Sequence, residues 1–127
     1  LQSAQRIALN NGYDSFLMFN VYAQRATRPD DMERVCNSAL HEENRKAFRY
    51  LLSLSETPAI WAAWGNIIEK RDYLMDCMRD FAADGQAANA QWFTAGPLLK
   101  SGHPHHPLYL KSTTALQTFD IDAYLCR

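Results

Sequence analysis

Residues 58–65 read PAIWAAWG. Between Pro58 and Gly65 there is no polar side chain to turn toward water. So short an apolar run, closed by proline and glycine, predicts a strand covered on both faces rather than a helix. Its flanks have a different period. Upstream, HEENRKAFRYLLSLSE (41–56) places Ala47, Phe48, Leu51 and Leu52 on one helical face. Downstream, NIIEKRDYLMDCMRDFAADG (66–85) does the same with Ile67, Leu74, Met78 and Phe81, and Gly85 reads as its stop. A solid apolar strand between two amphipathic helices is the unit of an α/β domain with a parallel sheet.

Further out the alternation continues. SFLMFNVYA (15–23) is nearly continuous in apolar and aromatic residues and reads as another buried strand, interrupted by Asn20. AQWFTAG (90–96) reads as a third. LQSAQRIALNNGYD opens the chain as a helix with Leu1, Ala4, Ile7 and Ala8 on one face and an Asn-Gly stop. In TALQTFDIDAYL, Asp120 is placed to cap a short terminal helix. The expected fold is therefore a single α/β domain over residues 1–127, a three-layer α/β/α arrangement with a mainly parallel sheet. Strands are expected at about 15–23, 58–64 and 90–95, and helices at about 2–11, 41–54 and 66–83. Three strands make a thin sheet, which suggests that residues ahead of Leu1 belong to it.

Bulk composition narrows the function classes. With 127 residues, 47% hydrophobic and 21% charged, the chain can bury a core. Its net charge of −1 excludes a globally basic nucleic-acid binder, so any phosphate contact must be local. Cys36, Cys77 and Cys126 are odd in number and widely spaced. They form no CxxC pair, which argues against a disulfide scaffold or zinc ribbon and for a reducing, cytoplasmic setting. The longest apolar runs are too short to span a bilayer.

Four places carry polar groups at predicted strand ends, where open parallel sheets place ligands. Asn20 brings an amide into a buried run; it fits the edge of a base, which needs a donor and an acceptor together, or a backbone bridge to the next loop. Past it, QRATRPDD (24–31) holds Arg25 and Arg28, with Arg25 nearer the strand and suited to phosphate or carboxylate. Trp64-Gly65 closes the PAIWAAWG strand, where glycine permits a sharp turn or a close backbone approach. Last, SGHPHHPLYL (101–110) gathers His103, His105 and His106 with Pro104 and Pro107. The prolines send neighbouring imidazoles in different directions, so no metal site and no cofactor is expected. Instead they hold His106 stiffly, as suits a donor aimed at developing negative charge.

Taken in order, these stretches resemble the bacterial and phage family known as domain of unknown function 1643. NVYAQRATRP resembles its N-[LV]-[FY]-A-x-R-A-T-x-P segment, HEEN its P-x-x-x-E-N stretch at Glu43 and Asn44, and AAWG its A-A-W-G motif. GHPHHPLYL resembles its G-x-P-x-H-P-L-Y-L ending, which singles out His106 and Tyr109 over His103. The family pattern begins with a strand and a loop similar to LNPSTAD and a DDPT segment, neither of which is in this chain, and this implies a truncated member.

A more distant similarity is to the uracil-DNA glycosylases, whose order is a proline-bearing catalytic loop, a strand ending in Asn, a strand ending in W-G, and an H-P-x-P loop. That similarity implies a nucleobase- or nucleotide-directed hydrolase acting on a free base, a nucleotide or DNA. Asn20 would read the base edge and His106, or else His103, would steady its carbonyl oxygen; the water-activating residue would lie ahead of Leu1. Arg25, Trp64, Gly65 and Tyr109, taken from their chemistry and from the motifs of domain of unknown function 1643, complete the expected binding set. The loop here carries one residue more than H-P-x-P, and Tyr109 stands where small residues are common in that superfamily. A module that binds a nucleotide or modified base without cleaving it, and a structural domain without ligand, remain the alternatives.

Overall fold

A computed structural model of the chain describes residues 2–13, 16–22, 32–107 and 110–126. Helix α1 (Gln2–Asn10) buries Ala4, Ile7 and Ala8, the apolar face that its spacing predicts. Gly12 follows at φ +91°, past the helix end. Helix α2 (Ser38–Leu52) starts three residues earlier than expected because Asn37 caps it, its Oδ1 accepting from the N–H groups of Ala39 and Leu40 at 3.1 and 3.2 Å. Strand β1 (Ala59–Trp61) then leads through Trp64 into a 3-10 helix at Gly65–Glu69. Helix α3 (Tyr73–Ala87), β2 (Gln91–Ala95), β3 (Leu116–Thr118) and α4 (Ile121–Leu125) follow. Asp120 caps α4 as expected, accepting from Ala123 N–H at 3.0 Å.

The chain is thus mixed α/β, but its sheet is not mainly parallel. The described strands lie in the order β1-β2-β3. β1 and β2 run parallel with Ile60 opposite Trp92. β2 and β3 run antiparallel with Thr94 opposite Gln117. Residues 113–118 carry no strong strand signal, and pairing to an existing edge, a non-local effect, makes them a strand.

The expected strand at 15–23 is not formed in its described part, residues 16–22. Leu17 and Met18 point outward, 67% and 60% exposed, which a strand covered on both faces would not allow. Aromatic anchors hold the segment instead. Phe19 lies 5.1 Å from Phe48 of α2 and 5.6 Å from Phe81 of α3, ring centre to ring centre. Tyr22 is buried, and its hydroxyl accepts from Asn37 N–H at 2.7 Å.

The expected helix at 66–83 divides in two. The 3-10 turn ends before α3 begins at Tyr73, and α3 runs through Gly85, which sits inside the helix rather than stopping it. A Cβ on Gly85 would stand 3.3 Å from Trp92 Nε1 and 3.4 Å from Ile60 Cδ1. Glycine is there so that α3 can lie close against β1 and β2.

The core fills the space between helices and sheet, with Phe48, Leu52, Leu74, Met78, Phe81, Trp92, Phe119, Ile121 and Tyr124 buried together. Ion pairs hold α2 on α3. Arg45 grips Asp84 with two bonds, Nε to Oδ2 at 3.0 Å and a terminal nitrogen to Oδ1 at 2.8 Å. Arg49 approaches the same Oδ1 at 3.5 Å. Hydrogen bonding to Asp84 raises the Arg45 pKa further above its ordinary value. Asp84 is only 6% exposed, so its charge depends on these partners. Replacing it with alanine leaves Arg45 facing apolar surface. The expected loss is about 2 kcal/mol in a urea-denaturation series, below the roughly 3–5 kcal/mol of a fully buried pair because Arg45 reaches solvent.

Candidate functional site

Because β1 and β2 are parallel, the segments that leave them both start from their carboxyl edge. Residues 62–69 leave β1 and residues 96–107 leave β2, and the two segments meet. Gly65 N–H donates to Pro104 O at 3.0 Å. Ser101 Oγ bonds Asn66 Oδ1. A Cβ on Gly65 would come 3.8 Å from His106 Cβ, and Gly65 sits at φ +64°, a left-handed conformation that favours glycine. The glycine therefore both turns the chain and lets the histidine loop approach.

The two loop histidines have different surroundings. His103 is buried, 4% exposed, in a chain of polar contacts. Its Nδ1 lies 2.6 Å from Tyr124 Oη of α4, and its Nε2 lies 2.8 Å from Glu69 Oε2 at the end of the 3-10 helix. Trp64 Nε1–H donates to the same Tyr124 oxygen at 3.0 Å. Tyr124 Oη also lies 3.9 Å from Met75 Sδ, so Trp64, His103 and Met75 all meet at this hydroxyl.

His106 is exposed. Protein packed behind the ring nevertheless costs its cation some hydration and pushes its pKa below the ordinary histidine value, and His105 beside it adds to the effect. The third histidine is turned aside: His105 Nδ1–H donates to the His106 carbonyl at 2.6 Å.

Trp64, Gly65, His103 and His106 are therefore brought together. Asn20 is placed differently from expectation. It is exposed rather than set in a buried strand, and its carbonyl accepts from Asn44 Nδ2 at 2.9 Å. Asn44 also lies 3.5 Å from Val21 O, so that residue of the HEEN stretch ties α2 to the 20–21 backbone. Arg25 and Tyr109 lie outside the described residues. Glu69 and Tyr124 were not singled out from sequence. Glu69 reads as one of many helix-surface carboxylates, and Tyr124 as an apolar position of α4; their meeting at His103 spans 34 and 21 residues of chain.

Among the described residues no group of three or more His, Cys, Asp or Glu side chains is placed to hold a metal ion. No described helix is long and apolar enough to cross a membrane.

The ordered motifs, the strand-end glycine and the proline-framed histidine loop mark a mixed α/β chain with a candidate site at the carboxyl edge of its parallel strands. The chain belongs to the family described as protein of unknown function (DUF1643), whose model matches residues 1–108. No curated protein and no solved structure matches it. Strand β3 and helix α4, which carries Tyr124, lie beyond the matched segment.

Proposed function

We propose that the chain is a nucleobase- or nucleotide-directed hydrolase whose substrate lies beside the exposed His106, at the carboxyl edge of the parallel strands. The observation that carries this reading is the docking of the histidine loop on Gly65, through the Gly65–Pro104 bond and the approach of His106 to the glycine. It holds an exposed imidazole, its pKa lowered, at the carboxyl edge of parallel strands, where such sheets bind ligands. A neutral imidazole held stiffly there is suited to donate to an oxygen that gains negative charge as a glycosidic bond breaks. Trp64 supplies an aromatic neighbour, and His103 anchors the loop from beneath.

The remaining roles rest on the resemblance in motif order to the uracil-DNA glycosylases. By that resemblance Asn20 reads the base edge, while Arg25 and Tyr109 contact phosphate or sugar. The reaction needs no cofactor. Three free thiols suit a reducing compartment, and the cytoplasm is the proposed location.

The test is a panel of nucleoside 5′-monophosphates and of single- and double-stranded oligonucleotides carrying uracil or modified bases. Thermal shift reports binding and chromatography reports base release. Saturable binding with release of free base is expected. Binding without release would leave a recognition module, and no binding to any member would leave a structural domain.

A further inference from the structure

We propose that Cys36 and Cys77 form a reversible thiol–disulfide pair, a modification site that takes a hydroperoxide as oxidant and ties the start of α2 to α3. The site stands apart from the hydrolase reading and does not depend on it. Its geometry comes from the register between two stretches of chain. Residues 32–45 run alongside residues 71–84, held by four side chains. The Arg71 guanidinium donates to Met32 O at 2.7 Å, and Tyr73 Oη donates to Glu33 O at 2.6 Å. His41 Nε2 lies 2.7 Å from Asp80 Oδ2, and Arg45 grips Asp84. The partners are 39, 40, 39 and 39 residues apart, so the offset hardly drifts.

Cys36 and Cys77 fall between the Glu33–Tyr73 and His41–Asp80 bonds, bracketed on both sides. There the two thiols share a side-chain hydrogen bond. Cys77 belongs to the buried core, and Cys36 packs against it. Asn37, next in the chain, is fixed twice: its N–H donates to Tyr22 Oη at 2.7 Å and its side chain caps α2. The approach of the two sulfurs is thus imposed by their surroundings. The sulfurs differ in access, since Cys36 is half-buried and Cys77 buried. An oxidant therefore reaches Cys36 first. Burial, with the charge and hydrogen bond of Cys36 added to it, pushes the Cys77 thiol up to about 12, so Cys77 stays protonated and inert while Cys36 is reduced.

In the reaction, the Cys36 thiolate attacks one oxygen of hydrogen peroxide. A sulfur–oxygen bond forms, the oxygen–oxygen bond breaks, and the leaving hydroxide takes up the proton that Cys36 gave up, forming water. Cys36 is now a sulfenic acid. That group is uncharged, so its repulsion no longer opposes ionisation of Cys77. The Cys77 sulfur then attacks the Cys36 sulfur, the sulfur–oxygen bond breaks, and hydroxide leaves with the Cys77 proton as a second water. The two thiols lose two electrons and the peroxide gains them. A dithiol reverses the bond by exchange. Transient disulfides of this kind occur in reducing compartments.

The test uses the full chain carrying Cys126→Ser, an exposed position whose loss leaves only the pair. The protein is reduced, freed of reductant and treated with hydrogen peroxide at neutral and mildly alkaline pH. Free thiols are counted after denaturation, and non-reducing peptide mapping locates the linkage. Both thiols are expected to disappear together, with Cys36 joined to Cys77 within one chain, faster at the higher pH, and dithiothreitol should restore both. Cys36→Ser in the same background should slow loss of the Cys77 thiol at least about tenfold, because the accessible sulfur is gone. Three results would overturn the inference: Cys36 oxidised to sulfinic acid with Cys77 still free, disulfides only between chains, or a Cys77 thiol lost equally fast in Cys36→Ser.

Discussion

His106→Ala is expected to lower kcat by about 10²–10³-fold and to leave KM nearly unchanged. The reason lies in when the imidazole acts. A base carbonyl in the ground state carries little charge and gains little from one exposed donor. As the glycosidic bond breaks, the oxygen becomes anionic and the same N–H bond strengthens. Its loss therefore falls on the transition state. Two features make His106 suited to this. Its pKa is lowered, chiefly by burial, so the neutral form persists to lower pH than for an ordinary histidine. Its backbone is held by Pro107 and by the seating of Pro104 on Gly65, so the donor is in place before charge develops. Asn20→Ala should behave differently, raising KM along with lowering kcat, because edge recognition acts on the bound substrate too. Steady-state kinetics of the two variants on one substrate separates the roles. Equal losses in KM and none in kcat for His106→Ala would contradict the assignment.

The largest effect on stability is expected from Phe81→Ala, a loss of about 3–5 kcal/mol. Phe81 is 3% exposed and stands where α2, α3 and the 16–22 segment meet. Its ring centre lies 5.0 Å from Phe48, 5.6 Å from Phe19 and 5.5 Å from His41. Removing it deletes three ring contacts and leaves a cavity that three separate elements would have to collapse to fill. The segment loses its main anchor at the same time, so its apolar residues Leu17 and Met18 should become still more accessible. Urea denaturation followed by tryptophan fluorescence measures the change. A loss below about 1 kcal/mol would mean that this face of α3 is not packed as described.

Phe81 also shows how far the sequence could be read. Its place on the inward face of a helix follows from its spacing to Leu74 and Met78; the same period located α1 and most of α2, and the Asp120 cap located α4. Apolar runs likewise located β1 and β2. The misreadings share a cause, which is that the deciding contact is remote in sequence. SFLMFNVYA has the composition of a buried strand, but composition does not say whether a neighbouring backbone pairs with it. Here Phe19 and Tyr22 take up the burial, and Leu17 and Met18 are left outside. Gly85 carries a helix-stop signal locally, and only the approach of Trp92 and Ile60 explains a glycine within α3. β3 exists because β2 offers it an edge.

The site divides the same way. That Gly65 and the His/Pro loop belong together followed from their positions at predicted strand ends, and the resemblance in the loop favoured His106 over His103. In the structure His103 is buried against Tyr124 and Glu69, and His106 is exposed. No local pattern around Glu69 or Tyr124 announces that partnership. Asn20 was legible as a polar interruption but not as an exposed residue whose carbonyl is held by Asn44.

The central claim is that the surface beside His106, where its loop docks on Gly65, receives a nucleobase. Titration of the 15N-labelled protein with nucleoside 5′-monophosphates tests it most directly. The account predicts saturable shifts of the Gly65 amide and the His106 ring with at least one base, absent with ribose 5-phosphate alone. Shifts with every nucleotide that leave Gly65 and His106 unmoved, or no shifts with any of them, would contradict it.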